Sequence, residues 1–238
     1  MQTKSSADIG TEAFVLPRTS RSSISTTDRL LILLINTIPM LFATSLIAIA
    51  LSPMGSPYWK AILILVVLYL VPPLAARMLM ALVSIPEGRI AAGTRKFFAW
   101  WVLFQLQVPY CRFPMLEELL RLIPGLYSSW LRIWGARVGR LTYWAAGVAL
   151  LDRPFIVIGD DVVFGAGVRL NPHVLVKTSA GDLELLLGTV RIGDRAVVGG
   201  YSLFTAGAVV EADESPMALT MIPPFGSFRD GRRLRAKT

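Results

Sequence analysis

One histidine occurs in 238 residues, and it stands in the stretch "IGDDVVFGAGVRLNPHVLV", Ile158 to Val176. Imidazole is the side chain that gains and loses a proton near neutrality, so His173 is the natural candidate for general acid or base work. The bland alternative is a surface histidine with no role. Carboxylates that could orient such a ring follow at Asp182 and Glu184. Zinc wants three or four nitrogen or sulfur ligands, and one histidine with one cysteine, Cys111, does not supply them. No metal is expected.

The elements that must hold His173 show a period of six. Ile158, Phe164, Leu170 and Val176 are each six apart, followed by Gly159, Gly165 and Asn171, with Val162, Val168 and Val174 four on. Ile192, Val198, Phe204 and Val210 repeat the spacing, with Gly193, Gly199 and Thr205 next and Ala196, Ser202 and Ala208 four on. Val138, Trp144 and Leu150 begin the step early, and "LLDRPFIV" adds two residues before it resumes. Hexads of this kind predict a β-helix, in which three of them close one triangular coil of about 18 residues. The aliphatic and the small residue four on face inward, and stacking alone buries the core. Glycine or asparagine after the aliphatic is expected to supply a positive φ at the corner. A β-sandwich of valine-rich strands is the alternative. "VKTSAGDLELLLGTVR" loses the step and reads as a β-hairpin or protruding loop that turns at Ala180-Gly181-Asp182.

The first half of the chain has another character. The composition is 54% hydrophobic and 17% charged, and Leu30 to Leu51 carries no charge, long enough to cross a ~30 Å hydrocarbon core. Pro57 to Val83 is a second apolar stretch, with Tyr58 and Trp59 as interfacial anchors and Lys60 and Arg77 toward its ends. A signal peptide is disfavoured by the polar arm of 29 residues ahead of the first run and by the run's length, and two buried helices of a soluble core by its unbroken apolarity. The expected organisation is a mobile arm over 1–28, a transmembrane hairpin over 29–84 and an interfacial or amphipathic helical region over 85–133. A β-helix over 134–225 and a basic tail over 226–238 complete it. Lys4, Arg18, Arg21 and Arg29 before the hairpin, with Arg89, Arg95 and Lys96 after it, place both termini and the coil in the cytoplasm.

"IGDDVVFGAGVRLNPHVLV" and "VRIGDRAVVGGYSLFTAGAVV" resemble the left-handed β-helix hexapeptide acyltransferases over about residues 134 to 225. The histidine, the hairpin and then "TVRIGDRAVVGG" look like the membrane-anchored units fused to the ends of some peptide synthetases. Those relatives tend to have an acidic pair soon after the histidine, where this chain reads "HVLVKTS". The resemblance implies a homotrimer in the bacterial inner membrane, with acetyl-CoA or another acyl-CoA as co-substrate in the groove between subunits. His173, its ring outward on a prism face, is then the base in transfer to a hydroxyl or amine of a membrane-associated or apolar acceptor. Glu184 is the orienting carboxylate expected, Asn171 and Tyr201 the substrate contacts, and an amide of Gly199 or Gly200 the oxyanion donor. Arg229, Arg232 and Arg233 are expected on the cofactor's phosphates, so that the net charge of +8 serves those and anionic lipid, with no nucleic-acid partner. The β-helix carbonic anhydrases need three histidines, and a His-x-x-x-x-Asp site would need an aspartate where Thr178 stands. A non-catalytic trimeric membrane assembly module is the competing reading.

Overall fold

The computed structural model describes residues 25–53, 55–179 and 181–235; the expected arm up to residue 24 and the last three residues of the basic tail lie outside them. Residues 25–28, counted with the arm from the sequence, belong to a helix start. Ser25 caps a helix reciprocally with Asp28, each side chain taking the other's backbone N–H at 3.1 and 2.9 Å. That helix, α1 (Thr26–Ile35), runs through a break at Asn36 into α2 (Ile38–Leu51). After a turn, α3 (Pro57–Tyr69) breaks at Leu70 into α4 (Val71–Leu82), whose Pro72 and Pro73 cannot continue the hydrogen-bond ladder of α3. Taken as two units, Thr26–Leu51 and Pro57–Leu82 are long and apolar enough to cross a membrane. Most of their leucines face outward, and Tyr58 and Trp59 are exposed at the turn.

Both breaks are tied to a second layer of helices: α5 (Arg95–Arg112), α6 (Met115–Arg121) and α7 (Leu126–Trp134). The Asn36 carboxamide oxygen accepts from Trp101 Nε1 and Gln105 Nε2, both at 2.8 Å. At the other break Tyr110 donates to the Leu68 carbonyl, and Trp130 Nε1 to that of Tyr69 at 2.8 Å. The aromatic run from Phe97 is not spread along an interface as one expectation had it. Phe97, Trp100, Leu103 and Tyr110 are buried, and α5 is the plate between the apolar hairpin and the coil.

From Arg137 onward the chain winds through three parallel ladders. Val138, Ile158, Ile192, Val210 and Phe228 stack on one face, Trp144, Phe164 and Val198 on the second, and Leu150, Leu170, Phe204 and Ile222 on the third. A plain coil takes 18 residues, as from Ile192 to Val210; the Val138 to Ile158 step takes 20 and the Ile158 to Ile192 step 34. The longer step holds the hairpin, in which His173–Lys177 pairs antiparallel with Leu183–Leu187. Val174 and Val176 therefore leave the interior pattern that their spacing suggested. A strand the sequence did not announce, Gly88–Ala91, pairs with the hairpin's other edge. The coil also runs beyond residue 225: Ser227–Arg229 is its last rung, and Arg232–Leu234 turns back antiparallel on it.

The corner chemistry differs from the expectation. None of Gly139, Gly159, Gly165, Gly193 and Gly199 has a positive φ. They are glycines because the next coil passes too close: a Cβ on Gly199 would lie 2.2 Å from the Ala218 nitrogen, and one on Gly139 2.3 Å from the Gly159 oxygen. The left-handed residue sits two positions later, as Leu141, Asp161, Gly167, Arg195 and Tyr201, with φ between 50° and 68°; Asp213 and Leu219 hold the same conformation on later corners.

Candidate functional site

The two extra residues before Ile158 build the site. There the chain leaves the hexad phase through Asp152, itself left-handed (φ 43°, ψ 53°), and a single turn of 3-10 helix, Arg153–Phe155. The turn pushes two adjacent charges into the helical layer. Asp152 is fully buried, and its Oδ1 accepts from the indole Nε1 of Trp100 at 2.9 Å. Its Oδ2 is hydrogen-bonded to Nδ1 of His173. With Nδ1–H donated to the carboxylate, Nε2 is the ring nitrogen left to accept a proton. The imidazole packs edge-on against Trp100 and Phe104, with ring centroids 4.9 and 5.3 Å away, and its side chain is 15% exposed. The face on which the ring lies is covered by α5 of the same chain.

Arg153 turns the other way and is as deeply buried. Its guanidinium holds the Glu117 carboxylate through Nη2 and through Nε at 3.1 Å, and gives Nη1 to Gln107 Oε1 at 3.0 Å. The rings of Tyr110, Trp130 and Trp134 surround it at 5.4 to 5.6 Å. Burial opposes its charge, yet Glu117 overcomes that and keeps the guanidinium more firmly protonated than usual. Burial and the same carboxylate push the Tyr127 phenol well above its ordinary value, so it remains a donor to Glu117 Oε2 at 2.7 Å. Arg121 closes the network on Glu117 at 3.2 Å and on the Val148 carbonyl at 2.7 Å.

The carboxylate that the His173 ring meets is thus Asp152 and not Glu184. In the hairpin His173 is opposite Leu187 and Glu184 opposite Val176, three positions along, so strand alternation puts the two side chains on opposite faces. Glu184 instead pairs with Arg89 at 3.2 Å on the added strand. Asp182 lies at the turn, its backbone oxygen bound by the Thr178 N–H at 2.8 Å. The Gly199 amide cannot serve an oxyanion, because it donates to the Pro216 carbonyl at 2.8 Å inside the coil. Gly200 is at the same corner, and its oxygen takes the Leu219 N–H. Asn171 stands two residues before His173 where coil gives way to hairpin, and Tyr201 covers Gly167 at an exposed corner. Arg229, Arg232 and Arg233 lie on the terminal hairpin, exposed, with Arg229 3.5 Å from Asp230. Arg229 is two rungs beyond the Ile192 rung on which the coil resumes, about 10 Å at the usual strand spacing, and Arg232 and Arg233 are one strand further.

Asp152, Trp100, Phe104, Arg153 and Glu117 were not singled out from the sequence. The signal for the first was present: an Asp-Arg pair in the one place where the hexads slip by two. The others are distant in sequence and announce themselves only as an aromatic run and a helix with two acids.

No family model and no curated protein matches the chain. Among solved structures it is similar to a maltose O-acetyltransferase from Clostridium difficile 630, at 15% identity and a TM-score of 0.35, covering 67% of this chain and 95% of that one. A hexapeptide-repeat-containing acetyltransferase from Vibrio cholerae is 13% identical with a TM-score of 0.29, covering 55% and 91%. A galactoside acetyltransferase in complex with coenzyme A is 12% identical with a TM-score of 0.29, covering 62% and 85%. The chemistry open to the site rests on its own geometry: an imidazole oriented by a buried carboxylate, walled by aromatic rings, able to take and return one proton.

Proposed function

We propose that the chain is a membrane-anchored acyltransferase that moves an acetyl or short acyl group from coenzyme A to a hydroxyl or amine of a membrane-associated or apolar acceptor. The Asp152–His173 pair, held by Trp100 at the interruption of the coil, carries this reading. Nε2 of His173 takes the proton of the acceptor O–H or N–H as its oxygen or nitrogen bonds to the thioester carbonyl carbon. As the carbon–sulfur bond breaks, the same nitrogen returns that proton to the leaving sulfur. Asp152 fixes the tautomer and stabilises the imidazolium between the two transfers. Trp100 and Phe104 exclude water that would otherwise compete as acceptor.

The coil in this reading is left-handed and assembles as a homotrimer, with the acyl-CoA in the groove between copies and its phosphates near Arg229, Arg232 and Arg233. The two apolar units span the bacterial inner membrane, with both termini and the coil on the cytoplasmic side. The outward leucines of α1 to α4 and the aromatic pair at the tip support the anchor. The test is donor binding: unfolding of the full chain in detergent, followed with and without acetyl-CoA. Ligand at 100 times its dissociation constant stabilises by about 2.7 kcal/mol. A saturable rise in midpoint is expected, and none up to millimolar acetyl-CoA would overturn the donor assignment.

A further inference from the structure

A cavity of about 510 Å³ lies between the α6–α7 helices and the first rung of the coil, and its lining has no residue in common with the Asp152–His173 pair. Three arginines, Arg121, Arg132 and Arg140, line it, and among the described residues no acidic one does, although Arg121 is already paired outside this lining with Glu118 and, at 3.2 Å, with Glu117. Two buried polar atoms on its lining residues have no hydrogen-bond partner: Nε of Arg121, whose side chain is 7% exposed, and the hydroxyl of Thr142. Such atoms cost free energy unless something meets them. α7 also begins at this cavity. Its N-cap is Gly125, which offers no side-chain acceptor, so the N–H groups of its first turn have no side-chain cap, and the Leu126 N–H alone turns back to a carbonyl, that of Ile123 at 3.1 Å. The helix end, the arginine Nε and the hydroxyl all call for an anion. Exposed apolar side chains, Ile123 and Leu141, stand beside these cations on the same lining.

We propose that this cavity is a phosphate-binding site, separate from the acyl-transfer centre, that takes a phosphomonoester or phosphodiester group. The phosphoryl oxygens accept from the first turn of α7, from Arg121 Nε and from the Thr142 hydroxyl, while Arg140 and Arg132 neutralise the charge. Arg132 already gives Nε and Nη2 to the Val138 and Gly139 carbonyls at 3.0 and 2.9 Å, which fixes its fork in place. The group can come from a lipid headgroup, with Ile123 and Leu141 on its glycerol and acyl portion, or from a free phosphate.

The experiment titrates the full chain in a non-ionic detergent with inorganic phosphate, and separately with dihexanoyl phosphatidylglycerol, against chloride at equal ionic strength. Thermal unfolding is the readout. Saturable stabilisation is expected from at least one ligand, weakened about tenfold in affinity by Arg140→Gln, the factor of one charged hydrogen bond. Thr142→Val, which removes a hydroxyl with no partner in the fold, should leave the unliganded midpoint unchanged or higher and weaken binding as well. Tighter binding of the phospholipid assigns a lipid headgroup; equal or tighter binding of inorganic phosphate assigns a free phosphate. His173→Ala should bind as the unaltered chain does, so this site and the acyl-transfer reading can fail separately. No saturable effect of either ligand, or binding indifferent to both cavity variants, overturns the proposal.

Discussion

In the coil, Val138, Ile158, Ile192, Val210 and Phe228 repeat one solution rung after rung, an aliphatic or aromatic inward, and the first three are each followed by a glycine where backbones nearly touch. At Asp152–Arg153, two residues of slack put two full charges out of water, and each is held by groups from the helical layer. The coil gains by burying what needs no partner. The interruption buries what does, and its cost of error is correspondingly higher. Regularity supplies the scaffold here, and the departure from it supplies groups that can exchange protons.

The sharpest way to break that contrast is to remove one partner from the charged network. Glu117→Leu leaves Arg153 buried without its carboxylate and is expected to cost about 3–5 kcal/mol, read from denaturant midpoints in detergent. Adding Arg153→Met should restore most of the loss. A single variant as stable as the parent would mean that the interruption is not where the stakes lie. The coil's own rule is tested by a smaller pair of changes. Gly199→Ala drives a Cβ to 2.2 Å from a backbone nitrogen and should cost about 1–3 kcal/mol. Leu219→Gly, at an exposed position with φ 64°, should be neutral or stabilising by less than about 1 kcal/mol. The reverse ranking would show that glycine is needed for its φ after all.

The smallest expected effect is in pH. Burial raises the Glu87 carboxyl, but the Thr189 hydroxyl and N–H, at 2.6 and 2.9 Å, and Arg191 outweigh it, and the net shift is downward. A carboxyl lowered in the fold stabilises above the unfolded value of about 4.3, and that contribution fades as pH falls through the folded one. Glu87→Gln should therefore lower the unfolding midpoint at neutral pH and converge with the parent once the pH is acid enough to protonate the carboxyl in the fold. A difference that does not change with pH would contradict this pairing.

The hexads were readable because stacking repeats a local rule: inward residues recur every six, and the ladders register as the spacing implies. The hairpin after His173 was readable for the same reason, as a gap in the rule. The corner glycines were found but misexplained, because the close approach of the neighbouring coil is invisible to a reading of one coil's dihedrals. The partner of His173 was missed because it precedes the ring by 21 residues and is brought beside it by the pairing of Leu150 with Leu170 on successive coils. Searching forward from the histidine found Glu184, which strand alternation turns away. The strand Gly88–Ala91 was hidden by its brevity, and pairing with the hairpin edge, not its own pattern, defines it.

The most direct test of the account is the release of coenzyme A thiol from acetyl-CoA by membranes carrying the full chain, its His173→Gln variant or its Asp152→Asn variant. Each variant is first shown to unfold at the parent's temperature. The account predicts measurable release by the parent and a fall of about 10²–10⁴-fold in both variants, the usual worth of a positioned general base. Release that survives both substitutions, or a parent that releases none, would contradict it.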